Sequence, residues 1–275
     1  MLKKLLKYDF RSVMKYWWII AVTSLVLSFV SGGCQSILYS DKELPNLVYR
    51  FVGLMNFIAI VGLVVLFFCA IILIFVRFYK NFFTDEGYLT FTLPTTKAKL
   101  INSKLIMGIS TLLATVALYI IEIFIIFCID DLDRIFTAEN WESLCDFISI
   151  IWDTLGRYTF IYPIEFLIIG ILIIAFNILF IFCCITFAAM ITKKAKVITA
   201  IGIYYGANSI FSFIVQIFGL FAIGYLFDRL SYLPDDTISS TLALGLLGII
   251  CSIFILCVIL YTLLYGMIDR KLNLS

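Results

Sequence analysis

The sequence contains no histidine and little charge: 14% of its 275 residues are Asp, Glu, Lys or Arg. The first absence removes imidazole general bases, His-containing triads and most zinc ligand sets. No G-x-x-x-x-G-K-[ST] pattern occurs, so the chain has no P-loop of its own to cradle nucleotide phosphates. No Ser-Lys dyad, Asp pair or metal-ligating cluster stands out at useful spacing, which argues against an intramembrane enzyme. There are eight cysteines but no C-x-x-C, and Cys69, Cys183, Cys184, Cys251 and Cys257 fall inside apolar runs, where cysteine is a small packing residue. Cys34, Cys128 and Cys145 come near one side of the membrane in the topology below; a bridge between two of them is open but not expected.

In place of charge there is hydrocarbon. Hydrophobic residues make up 63% of the chain and mean hydropathy is +1.12, against roughly 45–50% apolar in soluble proteins. Most of the length is taken by apolar stretches of the ~20 residues that cross ~30 Å of bilayer as a helix. The expected fold is an all-α integral membrane protein forming one permease-like domain over 1–275, with six spans at about 17–39, 51–76, 104–129, 160–190, 196–227 and 239–268. No room is left for a soluble domain of ordinary size. Residues 1–16 place Leu2, Leu5, Leu6, Val13 and Met14 at helical spacings with Lys3, Lys4, Lys7, Arg11 and Lys15 mostly elsewhere, so they are expected to form a basic amphipathic helix at the membrane surface. Trp17 and Trp18 then mark the interface. This start is not a lipoprotein signal, because Ser31 stands three residues before Cys34 and more membrane follows.

An even number of spans puts both termini on one side. That side collects fifteen of the 20 Lys and Arg, in 1–16, in the 77–103 loop with Lys104, in Lys193, Lys194 and Lys196, and in Arg270 and Lys271. The other side has five: Lys42, Arg50, Arg134, Arg157 and Arg229. The positive-inside rule therefore places both termini and the 77–103 loop in the cytoplasm of a multi-pass plasma-membrane protein. The external loop, 130–159, is acidic, and Trp141, Leu144, Ile148, Ile151, Trp152 and Leu155 recur within it at helical spacing; a short amphipathic helix on the outer surface is expected.

Three polar features lie inside the spans. Gly202 and Gly206 form a small-x-x-x-small pair. Tyr205, Asn208, Ser212 and Gln216 advance by three, four and four residues, giving one polar stripe on span five that either bonds a neighbouring helix or lines a pathway, since lipid is a poor neighbour for it. Glu122 and Glu165 sit near the outer ends of their spans. An ion-coupled carrier needs carboxylates at the midplane, so an interfacial or structural role is expected for both.

The 77–103 loop breaks the apolar pattern. It has an aromatic-basic exit from span two (Arg77, Phe78, Tyr79, Lys80), an acidic knob (Thr84, Asp85, Glu86), a break at Gly87, and a run closing at Pro94. Thr95 or Thr96 then caps a helix carrying Lys97, Lys99 and Lys104. A helix-turn element of this kind suits docking to a partner; the alternative is a solvated loop tip. The run "RFYKNFFTDEGYLTFTLPTTKAKLINSKL", chiefly through Glu86, Gly87, Tyr88, Leu89, Leu93, Pro94, Ser103 and Lys104, resembles permease subunits of ATP-binding-cassette exporters of the second exporter type, especially those of low-GC Gram-positive bacteria. The motif covers about residues 77–105; six spans, an amphipathic N-terminal helix and cytoplasmic ends extend the likeness along the chain. The resemblance implies outward transport by two permeases, a second copy or a relative, with two separate ATPase subunits docked on the loop. It implies that Thr84, Asp85 and Glu86 contact the ATPase, with Phe82 and Phe83 as apolar anchors. Members with well-understood cargo often carry a large external domain or re-entrant hairpins; this chain has only the 130–159 loop, so cargo is left open.

The leading expectation is thus a transport subunit in contact with membrane lipid, with no cofactor, metal or nucleic acid, exporting an amphipathic compound such as an antimicrobial peptide, drug or lipid-like molecule. The competing one is a non-transporting assembly or sensory protein whose cytoplasmic loop binds a regulator.

Overall fold

The computed structural model describes residues 2–40, 45–84, 95–135, 138–156, 158–192, 195–230 and 235–272. These residues form helices α1 (Leu2–Leu38), α2 (Asn46–Phe83), α3 (Lys97–Ile135), α4 (Ala138–Leu155), α5 (Tyr158–Ile191), α6 (Lys196–Leu230) and α7 (Asp235–Leu272), and no strand occurs among them. All but α4 are long and apolar enough to cross a membrane. The protein is an all-α, six-span membrane protein. Helix is what hydrocarbon demands of such a sequence, because a helix satisfies every interior N–H and C=O within its own segment. At 1.5 Å per residue the 38 residues of α2 and 39 of α3 reach about 57 Å, well beyond the ~30 Å of a bilayer core.

The N-terminal segment is helical, with Lys3, Lys4, Lys7, Arg11 and Lys15 exposed as its amphipathic pattern predicts. It does not break from the first span at Trp17. One buried line runs through the junction, from Asp9 and Val13 through Trp17 and Ala21 to Ser24, Ser28 and Ser31, in steps of three and four. Trp17 is accordingly a packing residue, while its neighbour Trp18 is exposed.

The chain divides into two compact units, Met1–Asn81 with Ile106–Ile150, and Phe82–Leu105 with Ile151–Ser275. In the first, α1 and α3 run parallel in a fixed register: Trp17 Nε1 donates to Thr115 Oγ1 (3.0 Å) and Ser24 Oγ to Glu122 Oε1 (2.5 Å), each pair 98 residues apart. The small residues on α1 make this approach feasible; a Cβ on Gly32 would stand 3.1 Å from Ile129 Cβ and 3.3 Å from Ile126 Cα. α2 is antiparallel to both. Ser31 Oγ donates to Asn56 Oδ1 (2.8 Å), and Tyr119 Oη donates to the Leu63 carbonyl (2.7 Å) while its ring meets Phe67 edge-on at 5.1 Å. Between helices in lipid there is no hydrophobic drive to associate, so small-residue contact and such hydrogen bonds, about 0.6–2 kcal/mol each, carry the packing.

In the second unit α5 packs against both α7 and α6. α5 and α7 are parallel, again in constant register: Tyr162 Oη donates to the Ser239 carbonyl (2.8 Å) and Cys183 Sγ to the Leu260 carbonyl (3.4 Å), both 77 residues apart. α6 runs antiparallel to α5 through aromatic contacts, Phe176 with Phe211 at 5.1 Å and Phe180 with Tyr204 at 5.8 Å. The first residues of α3 join this unit through α7, where Tyr261 Oη donates to Asn102 Oδ1 (2.8 Å) and Lys97 pairs with Asp269 (2.5 Å).

The short helix expected within 130–159 is present as α4. It stops at Gly156, whose φ of 51° is the left-handed conformation that glycine adopts without cost and whose N–H closes on the Trp152 carbonyl at 2.8 Å. Its apolar residues Trp141, Phe147, Ile148 and Trp152 are exposed. All eight cysteines are free thiols.

Candidate functional site

The loop between α2 and α3 is held by its stems. Asp85 and Glu86, with Gly87 and Pro94, lie outside the described residues, but 82–84 and 95–105 are described and belong to the unit that contains α5, α6 and α7. Phe82 is buried at 5% exposure, Phe83 is half-buried, and Thr84 is exposed just past the helix end. Phe82 thus packs into the chain itself; of the described members of the set expected to face a partner, Phe83 and Thr84 are accessible. On the other stem the Thr96 carbonyl accepts from the N–H groups of Lys99 (2.9 Å) and Leu100 (3.3 Å), so Thr96 holds the N-cap position of α3. Leu100, Ile101, Ser103 and Lys104 are buried directly behind it. With Lys97 paired to Asp269, the start of α3 is pinned to the end of α7.

The polar stripe on α6 is where sequence spacing placed it, and its surroundings are now specific. Tyr204 and Phe211 face α5; Tyr205 and Ser212 each follow one residue later, about 100° around the helix, while Asn208, four residues after Tyr204 and three before Phe211, flanks the packed face. Tyr205 and Gln216 are exposed, and Asn208 and Ser212 are half-buried. Among the described residues, the side chains of Asn208, Ser212 and Gln216 find no hydrogen-bond partner. A Cβ at Gly202 or Gly206 would meet nothing within 4 Å, so that glycine pair makes no close contact among the described residues.

The two intramembrane carboxylates are both buried, Glu122 at 1% and Glu165 at 5% exposure. Glu122 accepts the Ser24 hydroxyl on one oxygen, and its Oε2 has no partner. Glu165 sits one turn beyond Tyr162, and its Oε2 is likewise unpartnered. Glu122 thus ties α3 to α1, a structural role of the kind expected. Among the described residues no group of three or more potential metal ligands converges.

Two features were not anticipated from the sequence. One is the interhelical polar ladder of the first unit, of which the Ser24, Ser28 and Ser31 spacing on α1 was a legible sign. The other is a groove between α2 and α3, described below, for which sequence periodicity gives no signal. No protein-family model, curated protein or solved structure matches the chain.

Proposed function

We propose that the chain is the transmembrane subunit of an ATP-driven exporter, moving an amphipathic compound outward across the cytoplasmic membrane, with ATP hydrolysed by a separate subunit docked on the α2–α3 loop. The observation that carries this reading is the mounting of that loop. An acidic tip with exposed Thr84 is set on stems anchored by buried Phe82, the Thr96 cap and the Lys97 to Asp269 pair. A loop that only binds a regulator needs no such anchorage, whereas a lever between an ATPase and spans does. The partnerless stripe of Asn208, Ser212 and Gln216 adds support, since polar groups in apolar surroundings need water or protein beside them. In a permease dimer they would line the route between copies. The charge distribution orients the assembly, with termini and loop in the cytoplasm.

The test is assembly. The chain, expressed with ATP-binding-cassette ATPase subunits that the proposal requires, should copurify with them from membranes. Asp85→Lys with Glu86→Lys should abolish that association while leaving membrane insertion intact, because a reversed charge at a docked contact is repulsive. Unchanged association would return the loop to a solvated tip and favour the non-transporting reading.

A further inference from the structure

The first unit contains a groove of about 630 Å³ lined almost wholly by carbon, a volume within the ~300–1,000 Å³ of ordinary small-molecule sites. α2 contributes Ile60, Val64 and Phe68 to one wall, and α3 contributes Tyr119, Ile123 and Phe127 to the other. All but Tyr119 of these six are exposed, so the groove opens sideways from the apolar part of both spans. The eight-residue separations, 60 to 68 and 119 to 127, correspond to about 12 Å along each helix, close to the depth of one leaflet, half of a ~30 Å core.

The groove has a polar end and a fixed wall. Ser31 and Gln35 of α1 line it, and the bond from Ser31 to Asn56 puts them past Ile60, toward the link between α1 and α2. Ser31 is committed to Asn56, whereas the Gln35 side chain makes no hydrogen bond among the described residues. Tyr119 is held from both directions, by its hydrogen bond to Leu63 and by the ring of Phe67. The shape therefore exists before anything enters it, which lowers the ordering cost of binding. Water has too few polar partners along such walls. An extended hydrocarbon chain with an ester at one end matches the length, the carbon lining, the sideways opening and the position of the Gln35 amide together.

We infer that this groove binds one acyl chain of a membrane phospholipid, drawn from the leaflet bordering the α1–α2 link, with its ester beside Gln35. The inference needs no ATPase and stands apart from the export reading. It is tested on the full-length chain in phospholipid nanodiscs doped with phosphatidylcholine carrying a diazirine within one acyl chain, by irradiation and mapping of the adducts. Adducts are expected to concentrate on segments 60–68 and 119–127. Ile123→Trp, which fills the groove, should reduce the adduct on 60–68 at least fivefold. Phe124→Trp, at a neighbouring position with 63% exposure against 52% but outside the groove, should leave it unchanged. Should Ile123→Trp fail to fold, Val64→Trp read on 119–127 decides in the same way. Labelling spread evenly over the outward surfaces of the spans, or indifferent to the groove-filling variant, means annular lipid only and overturns the inference.

Discussion

Replacing Ser24 by Ala tests the packing logic of the first unit at one hydrogen bond. In the native chain the Ser24 hydroxyl is the partner of Glu122 Oε1, while Oε2 has none. Ser24→Ala leaves a side chain of 1% exposure with neither oxygen bonded. Stranding a buried acceptor costs about 1–3 kcal/mol, whereas hydrogen bonds between membrane helices average ~0.6 kcal/mol with a maximum near ~1.7. The membrane value is the relevant one because the reference state also lies in lipid, so a loss of about 1–1.5 kcal/mol is expected. Glu122→Met removes the orphaned group together with its partner's task, and the double variant should be more stable than Ser24→Ala alone. The assay is a double-mutant cycle on reversible unfolding in bicelles, followed by the emission of Trp17, which lies on the same helix pair. A coupling of about 1 kcal/mol is expected. If the two changes simply add, the bond from Ser24 to Glu122 does not hold α1 to α3, and the shared 98-residue register needs another cause.

The remaining predictions concern contacts, surface and sidedness. Gly32→Ala should destabilise by about 1–3 kcal/mol, since its Cβ meets Ile129 Cβ and the Ile126 backbone. Gly62→Ala should cost less, although its nearest atom is closer at 2.8 Å, because that atom is a Leu27 methyl free to rotate away; thermal unfolding of both variants checks the order. Asn208→Leu with Ser212→Ala and Gln216→Leu should leave the thermal stability of the isolated chain unchanged while altering cargo preference or ATPase stimulation. Normal handling of every cargo tried would remove the pathway role of the stripe. In a variant stripped of native cysteines, Glu142→Cys should react with a membrane-impermeant thiol reagent added to intact cells, and Lys97→Cys should not; the reverse pattern would end the proposed orientation.

The fold was legible because bilayers impose one rule on all backbones. Span positions followed from apolar length, and α4 followed from the spacing of Trp141, Ile148 and Trp152. What periodicity missed was depth and register. Its place after a basic segment marks Trp17 in the sequence, and only the pairing of α1 with α3 shows that its indole N–H is bonded to Thr115. Phe82 looks like an exposed anchor beside an acidic tip, but it follows Phe78 by one helical turn, and both are buried. Spacing marked Tyr205, Asn208, Ser212 and Gln216 as a stripe; only the position of α5 shows that the stripe runs beside the packed face and not along it. The groove depends on how far apart two helices stand, which no single segment encodes.

The most direct test of the central claim is ATP hydrolysis by the proposed ATPase subunits reconstituted in nanodiscs with the chain, titrated with amphipathic peptides and drugs. The account predicts that at least one compound stimulates hydrolysis several-fold and that Asp85→Lys with Glu86→Lys removes the stimulation. Hydrolysis indifferent to the presence of the chain, under conditions where the ATPase subunits alone are active, would contradict it.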